Sequence, residues 1–173
     1  MEHRLVFAGF GGQGVLSMGM LIAYSGMMED KQVSWLPSYG PEMRGGTANC
    51  SVIISDGLIG SPIVTAPDVL VAMNLPSLDK FERAVKPGGT IYVDSSLTAR
   101  KVERTDVTAV YIPATRLASE NALPNLANMV MMGKVLAGED KKLIEKALVQ
   151  AVSAKRGDMI ELNMRAFSKG ESL

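Results

Sequence analysis

One short stretch, VFAGFGGQGVLSMG (residues 6–19), constrains the fold more than any other part of the chain. An apolar run enters a turn with four glycines and one glutamine, and a second apolar run leaves it. Gly9, Gly11 and Gly14 satisfy the spacing G-x-G-x-x-G, which joins a buried strand to a helix and lets the backbone approach a ligand closely. We therefore expect a strand before the turn and a buried helix over residues 12–28.

Strand and helix patterns alternate along the rest of the chain. Apolar and β-branched runs predict strands at 32–37, 47–56, 58–64, 67–74, 90–94 and 107–113, and helical spacing predicts helices at 76–85, 114–121, 124–137, 139–154 and 159–167. This alternation predicts one α/β domain over residues 1–173, with a three-layer α/β/α architecture and a mostly parallel, Rossmann-like sheet. The Asp56-Gly57 pair between two β-rich runs adds a predicted antiparallel hairpin.

The glycine turn is compatible with three interpretations. A dinucleotide site also needs an acidic residue at the end of the second strand, but QVSWLP (residues 32–37) has none. The turn could simply connect strand and helix, or its N–H groups could contact an anion or a partner protein. The residues that would contact a ligand at this turn are Gly9, Gly11, Gly12, Gln13 and Gly14.

The charge balance argues against nucleic acid or membrane as a partner. Lys+Arg and Asp+Glu both number 18, so the formal net charge is zero. The uncharged stretch over residues 5–28 is interrupted by the glycine turn, so it is not expected to span a membrane. The first 75 residues carry few charges, which is typical of a surface that becomes part of an interface.

A second glycine-containing loop, SYGPEMRGG (residues 38–46), lies within this charge-poor half. It combines Tyr39, Met43 and Arg44, and Trp35 precedes it; these residue types are frequent at interface centres. The guanidinium of Arg44 could bind a phosphate or a carboxylate, or pair within the protein. The predicted ligand-contacting set in this loop is Arg44, Gly45 and Gly46.

The chain has one cysteine and one histidine, Cys50 and His3. One thiol can form no intramolecular disulfide, which suits a cytoplasmic protein, and it cannot hold an iron–sulfur cluster. We expect Cys50 to be a buried structural thiol. A histidine-rich metal site or a catalytic triad is also not expected, so we assign no catalytic or metal-binding residue to this chain.

Taken together, several motifs resemble one family. GFGGQGVLSMG (9–19), SYGPEMRGGTANCSVIIS (38–55), GSPIVTAPDVLVAMN (60–74), NMVMMG (128–133) and NMRAFSKG (163–170) are similar to the gamma subunits of 2-oxoacid:ferredoxin oxidoreductases. The likeness extends over essentially the whole chain. The pairing of GxGGQG with the downstream E-x-R-G-G is more specific than either motif alone.

This resemblance implies a role in oxidative decarboxylation of a 2-oxoacid with coenzyme A, giving an acyl-CoA and CO2. It implies partner alpha and beta subunits that hold thiamine diphosphate with Mg, a delta or ferredoxin-like subunit with iron–sulfur clusters, and ferredoxin as electron acceptor. It also places the gamma subunit on the coenzyme A side of the reaction.

The chain's own residues agree with a subunit that lacks a catalytic centre. A thiamine diphosphate motif would begin Gly-Asp-Gly, whereas this chain has only Ser55-Asp56-Gly57. The isolated chain is therefore predicted to be inactive and to bind no cofactor by itself. The motif favours 2-oxoglutarate as substrate, with 2-oxoisovalerate, pyruvate and indolepyruvate as alternatives. Two other classes stay open: a stand-alone nucleotide-binding protein and a purely structural assembly module.

Overall fold

The computed structural model describes residues 1–39, 47–151 and 157–173. Its strands are β1 (Glu2–Phe10), β2 (Gln32–Tyr39), β3 (Thr47–Ser55), β4 (Val69–Ala72), β5 (Thr90–Asp94) and β6 (Thr108–Ile112). Its helices are α1 (Val15–Met28), α2 (Leu75–Phe81), α3 (Ala114–Glu120), α4 (Ala127–Val135), α5 (Lys141–Ala151) and α6 (Gly157–Glu171), with one 3₁₀ turn at Glu82–Ala84.

The strands form one mixed sheet in the order β2-β3-β1-β4-β5-β6. The strands β1, β4, β5 and β6 pair in parallel, and β3 is antiparallel to both of its neighbours, β1 and β2. Five strands therefore run in one direction and only β3 runs in the other. The prediction of an α/β fold with a mostly parallel sheet is confirmed.

Alternate residues of each strand point to opposite faces of the sheet. Because both faces carry apolar residues, helices cover both of them. Leu5 and Phe7 of β1 belong to a core that includes apolar residues of α1, α4, α5 and α6. Val6 of β1 belongs to a second core with Leu78 of α2 and residues of β4 and β5. This arrangement gives the three layers expected from the sequence.

The predicted hairpin at Asp56-Gly57 is wrong. Residues 58–67 contain no strand, and Leu58 and Ile63 in this segment are 93% and 63% exposed. The reason is topological: β1 and β2 already occupy both edges of β3, so no further strand can pair with it. The antiparallel partners of β3 are instead β1 and β2, and residues 40–46 join β2 to β3 in sequence.

Several element boundaries also differ from the prediction, and two of them have a clear physical reason. The second strand was expected to stop at Pro37, but β2 continues to Tyr39. Because β2 is an edge strand, the missing N–H of proline is tolerated there. The first helix begins at Val15 rather than at residue 12, because Gly12 and Gly14 have positive φ angles of 93° and 71° that a right-handed helix cannot contain.

Candidate functional site

The candidate site is a crevice at the carboxyl ends of the parallel strands. The helix after β1 packs on one face of the sheet and the helix after β4 on the other, so the chain diverges between these neighbouring strands. In open α/β sheets, ligands bind at such a divergence. The crevice has a volume of about 780 Å³ and is lined by Gly12, Gln13, Met73, Leu97, Thr115, Ala118, Ser119, Ala122, Leu123, Pro124, Asn125 and Ala127. None of these lining residues carries a charge.

The glycines of the turn have different structural roles. Gly12 and Gly14 adopt left-handed backbone conformations that other residues rarely take. Gly9 is needed for close packing instead: a Cβ there would lie 2.6 Å from Gln13 Oε1 and 3.0 Å from the Cβ of Met73. The turn is therefore held close to the end of β4.

The side chain of Gln13 connects the ends of β1 and β4. Its Oε1 accepts hydrogen bonds from the backbone N–H of Phe10 (2.6 Å) and from Nδ2 of Asn74 (3.2 Å). Its Nε2 donates to the carbonyl of Met73 at 3.2 Å. Asn74 in turn caps α2, since its Oδ1 accepts from the N–H of Ser77 at 2.9 Å. The amide of Gln13 is thus engaged by the protein itself and fixes the geometry of the turn.

We expect replacement of Gln13 by methionine to destabilise the protein by about 2 kcal/mol, because the Phe10 N–H and the Met73 carbonyl would lose their partner. Gln150→Met, at an exposed position of α5, is the matched control and should change stability by less than about 0.5 kcal/mol. Urea unfolding of both variants measures the difference. Equal midpoints would show that the Gln13 amide does not hold the turn.

The start of α1, directly after the crevice-lining residues Gly12 and Gln13, has unpaired donors. Gly14 is the N-cap and provides no side-chain cap, and the first turn has no acidic residue. Within the described part of the chain, no group accepts a hydrogen bond from the N–H of Val15, Leu16 or Ser17. Free N–H groups and the positive end of the helix dipole favour an anion at this position.

The predicted site residues fall into two groups. Gly9, Gly11, Gly12, Gln13 and Gly14 lie together in the turn, and Gly12 and Gln13 line the crevice. Arg44, Gly45 and Gly46 lie outside the described residues, as does Met43. That all eight contact a ligand therefore stays a prediction.

Sequence reasoning missed the opposite wall of the crevice, which comes from α3, the segment after it and the start of α4. It also missed Asn128, a buried residue of α4 whose Nδ2 donates to the carbonyl of Gly14 at 3.4 Å. The only sequence signal was the polar first residue of the otherwise apolar motif NMVMMG.

Trp35, predicted as an interface residue, is partly buried on the edge strand β2, and its role at an interface stays a prediction. Its side chain packs against the α1 side of the core, where a Cβ on Gly19 would lie 2.9 Å from its Nε1. Glycine at position 19 leaves the space that the indole occupies. Cys50 is fully buried, as predicted, and its Sγ donates to the carbonyl of Val15 at 3.4 Å. Burial raises the pKa of this thiol to about 12, so it is unreactive.

Residues 1–39, 47–151 and 157–173 contain neither a cluster of metal-ligating side chains nor a membrane-spanning helix. Over these ranges, no three His, Cys, Asp or Glu side chains come together in a way that could hold a metal ion. The helices in the same ranges are also too short or too polar to cross a bilayer.

Known proteins match this chain over nearly its full length. It is 42% identical to the ketoisovalerate oxidoreductase subunit VorA of Methanothermobacter thermautotrophicus, covering 98% of this chain but 36% of that protein. The chain thus spans about a third of the VorA sequences it matches. It is 39% identical to the 2-oxoglutarate synthase subunit KorC of Methanocaldococcus jannaschii, covering 98% of this chain and 92% of KorC.

A solved structure agrees with the sequence relatives. The gamma subunit of a keto/oxoacid ferredoxin oxidoreductase from Geobacter sulfurreducens superposes with a TM-score of 0.80 at 31% identity, covering 98% of this chain and 96% of that one. Residues 4–173 match the family described as pyruvate ferredoxin/flavodoxin oxidoreductase. By family match, relatives and fold, this chain is a member of the pyruvate ferredoxin/flavodoxin oxidoreductase family.

Proposed function

We propose that this chain is the gamma subunit of a cytoplasmic 2-oxoacid:ferredoxin oxidoreductase, which converts a 2-oxoacid and coenzyme A to an acyl-CoA and CO2 and passes the electrons to ferredoxin. The observation that carries this proposal is the near full-length match to KorC, since both chains are covered almost completely. The favoured substrate is 2-oxoglutarate for the same reason. The higher identity to VorA makes 2-oxoisovalerate the second candidate.

The partners in this proposal are alpha and beta subunits that hold thiamine diphosphate with Mg, and a delta or ferredoxin-like subunit that holds iron–sulfur clusters. The described residues of this chain do not fit a cluster, because the single thiol is buried and bonded to a backbone carbonyl. Purification from native cells should therefore recover the chain with its partners. Turnover of that assembly with 2-oxoglutarate, 2-oxoisovalerate, pyruvate and indolepyruvate identifies the substrate, and turnover with none of them would contradict the proposed function.

The proposed contribution of this chain is to bind part of coenzyme A in the crevice. The free N–H groups at the start of α1 suit a phosphate oxygen, and the uncharged, largely apolar walls suit the less polar parts of the molecule. Since the described lining carries no charge, a cation must come from a residue outside this lining. We propose that Arg44 supplies it, because guanidinium binds phosphate through two parallel hydrogen bonds.

Accordingly, Arg44→Ala should raise the KM for coenzyme A about tenfold in the assembled enzyme, which corresponds to the loss of one charge-assisted contact of about 1.5 kcal/mol. The KM values for the 2-oxoacid and for ferredoxin should change little. The control is Arg165→Ala, which removes the same charge from an exposed position on α6. If Arg44 instead pairs with a neighbouring subunit, size-exclusion chromatography will show dissociation with an unchanged KM for coenzyme A, and Arg44 is then no ligand residue.

A further inference from the structure

Asn128, near the start of α4, has an environment that stability does not explain. Its side chain is buried, with the residue only 8% exposed. Its Nδ2 makes one long hydrogen bond, 3.4 Å, to the carbonyl of Gly14. Its Oδ1 is fully buried and has no hydrogen-bond partner among the described residues. A buried acceptor without a partner destabilises a protein, whereas an apolar side chain of similar size would carry no such cost.

Asn128 and Gly14 fit each other closely. A Cβ on Gly14 would overlap Nδ2 of Asn128 and lie 2.9 Å from its Cγ. Gly14 is also the N-cap of α1 and has a left-handed backbone conformation. The amide of Asn128 therefore packs directly on the residue at which the strand–helix turn becomes a helix.

The hydrogen bond acts on the orientation of one peptide group. The carbonyl of Gly14 and the N–H of Val15 belong to the same planar peptide unit and point in opposite directions. A donor that holds the carbonyl therefore also fixes the direction of the Val15 N–H. Beside a glycine, a peptide unit rotates easily, so the turn gains order from a second donor in addition to the N–H of Met18, which lies 3.1 Å from the same carbonyl.

We propose that Asn128 is a positioning residue: by holding the Gly14 carbonyl, it aims the free N–H of Val15, at the start of α1, toward a phosphate group in the crevice. Two independent observations support this inference, namely the uncapped N-terminus of α1 and the buried, partly unpaired amide beside it. The identity of the phosphate-bearing molecule as coenzyme A rests on the proposed function. The orientation of the turn does not depend on that identity.

The central variant is Asn128→Leu, with Asn163→Leu as its control. Asn163 on α6 is also buried, but its Nδ2 donates to the Met159 carbonyl within its own helix, at 2.6 Å. We expect Asn128→Leu to keep or raise the midpoint of urea unfolding, and to increase the amide hydrogen-exchange rate of Val15 at least about tenfold in the unliganded chain. Asn163→Leu should leave the Val15 exchange rate unchanged once any change in the global free energy of unfolding has been taken into account.

In the assembled enzyme, Asn128→Leu should raise the KM for coenzyme A about tenfold while the KM for the 2-oxoacid stays constant. Asn128→Asp should raise it further, because a carboxylate at the start of α1 takes the place of the anion and repels it. A stability loss in Asn128→Leu, with Val15 exchange and the KM for coenzyme A both unchanged, would show that Asn128 is only structural.

The two proposals can fail separately. If the wild-type assembly shows no dependence on coenzyme A, the proposed ligand is wrong, and the exchange rate of Val15 in the unliganded chain still decides the role of Asn128. If the assembly depends on coenzyme A but Asn128→Leu leaves both measurements at wild-type values, the positioning role is wrong and the proposed function stands.

Discussion

Gly133→Ala is expected to destabilise the protein by about 3 kcal/mol or more, which is a large effect for the addition of one methyl group. Gly133 lies where α4 crosses α6. A Cβ there would overlap the carbonyl oxygen of Phe167 and lie 2.8 Å from the backbone nitrogen of Glu171. Both obstacles are backbone atoms, so no side-chain rotation can relieve the clash and the two helices must separate. Alanine's better helix propensity, about 1 kcal/mol, offsets only part of this cost.

Gly170 occupies the matching position on α6, where a Cβ would overlap the carbonyl oxygen of Val130. Gly170→Ala should therefore have a similar effect, and the double variant should lose less than the sum, because either methyl already opens the same crossing. Gly60→Ala is the control, since open space surrounds that position. Chemical denaturation of the wild type and the four variants measures these differences. A loss below about 1 kcal/mol for both single variants would show that the crossing is not closely packed in solution.

Glu82→Ala is expected to cost about 3 kcal/mol at neutral pH, because Glu82 is a buried charge that organises the connection between β5 and β6. Its Oε2 accepts from Arg100 at 2.7 Å, and its Oε1 accepts from the backbone N–H of Glu103 at 2.6 Å and of Arg104 at 3.3 Å. Removal of the carboxylate leaves these donors without their acceptor. Glu103→Ala, which removes an exposed partner of the same arginine, should cost less than about 1 kcal/mol.

The effect of Glu82→Ala should depend on pH. Burial alone would raise the pKa of Glu82, but the Arg100 guanidinium and the two backbone N–H groups outweigh burial and lower it below the usual value of 4.5. A carboxyl with a lowered pKa in the folded state stabilises above its unfolded pKa and loses that contribution as the pH falls through the folded value. The stability gap between wild type and variant should therefore be full at pH 7 and shrink below about pH 4.5. A gap that is constant from pH 7 to pH 3 would contradict this assignment.

Local features of the fold could be predicted from the sequence, since they depend on neighbouring residues. The strand, glycine turn and buried helix over residues 6–28 follow from composition and spacing alone. The motif resemblance to 2-oxoacid:ferredoxin oxidoreductases is confirmed by the family match over residues 4–173. The prediction of a hairpin at Asp56-Gly57 was wrong because a favourable turn sequence does not indicate whether the preceding strand, β3, has a free edge.

Tertiary contacts of the site could not be predicted. Asn128 reaches Gly14 across 114 positions of sequence, and nothing near either residue indicates the contact. The same holds for Gly133 and Gly170, which terminate the motifs NMVMMG and NMRAFSKG and meet only when α4 crosses α6. The position of the Trp35 side chain likewise depends on a residue outside its own strand, because Gly19 of α1 has no side chain in the space that the indole occupies.

The reversed strand β3 has a consequence for how the chain acquires its structure. In the finished sheet, Phe7 pairs with Cys50 on one side and with Val71 on the other, so β1 has no partner nearby in sequence. During synthesis, β1 stays unpaired until β3 has been made, and its second edge stays open to other chains until β4 follows. Long-range pairing of this kind slows folding without weakening the folded state. We therefore expect the reversed strand to affect the rate at which the sheet forms more than the stability of the completed sheet.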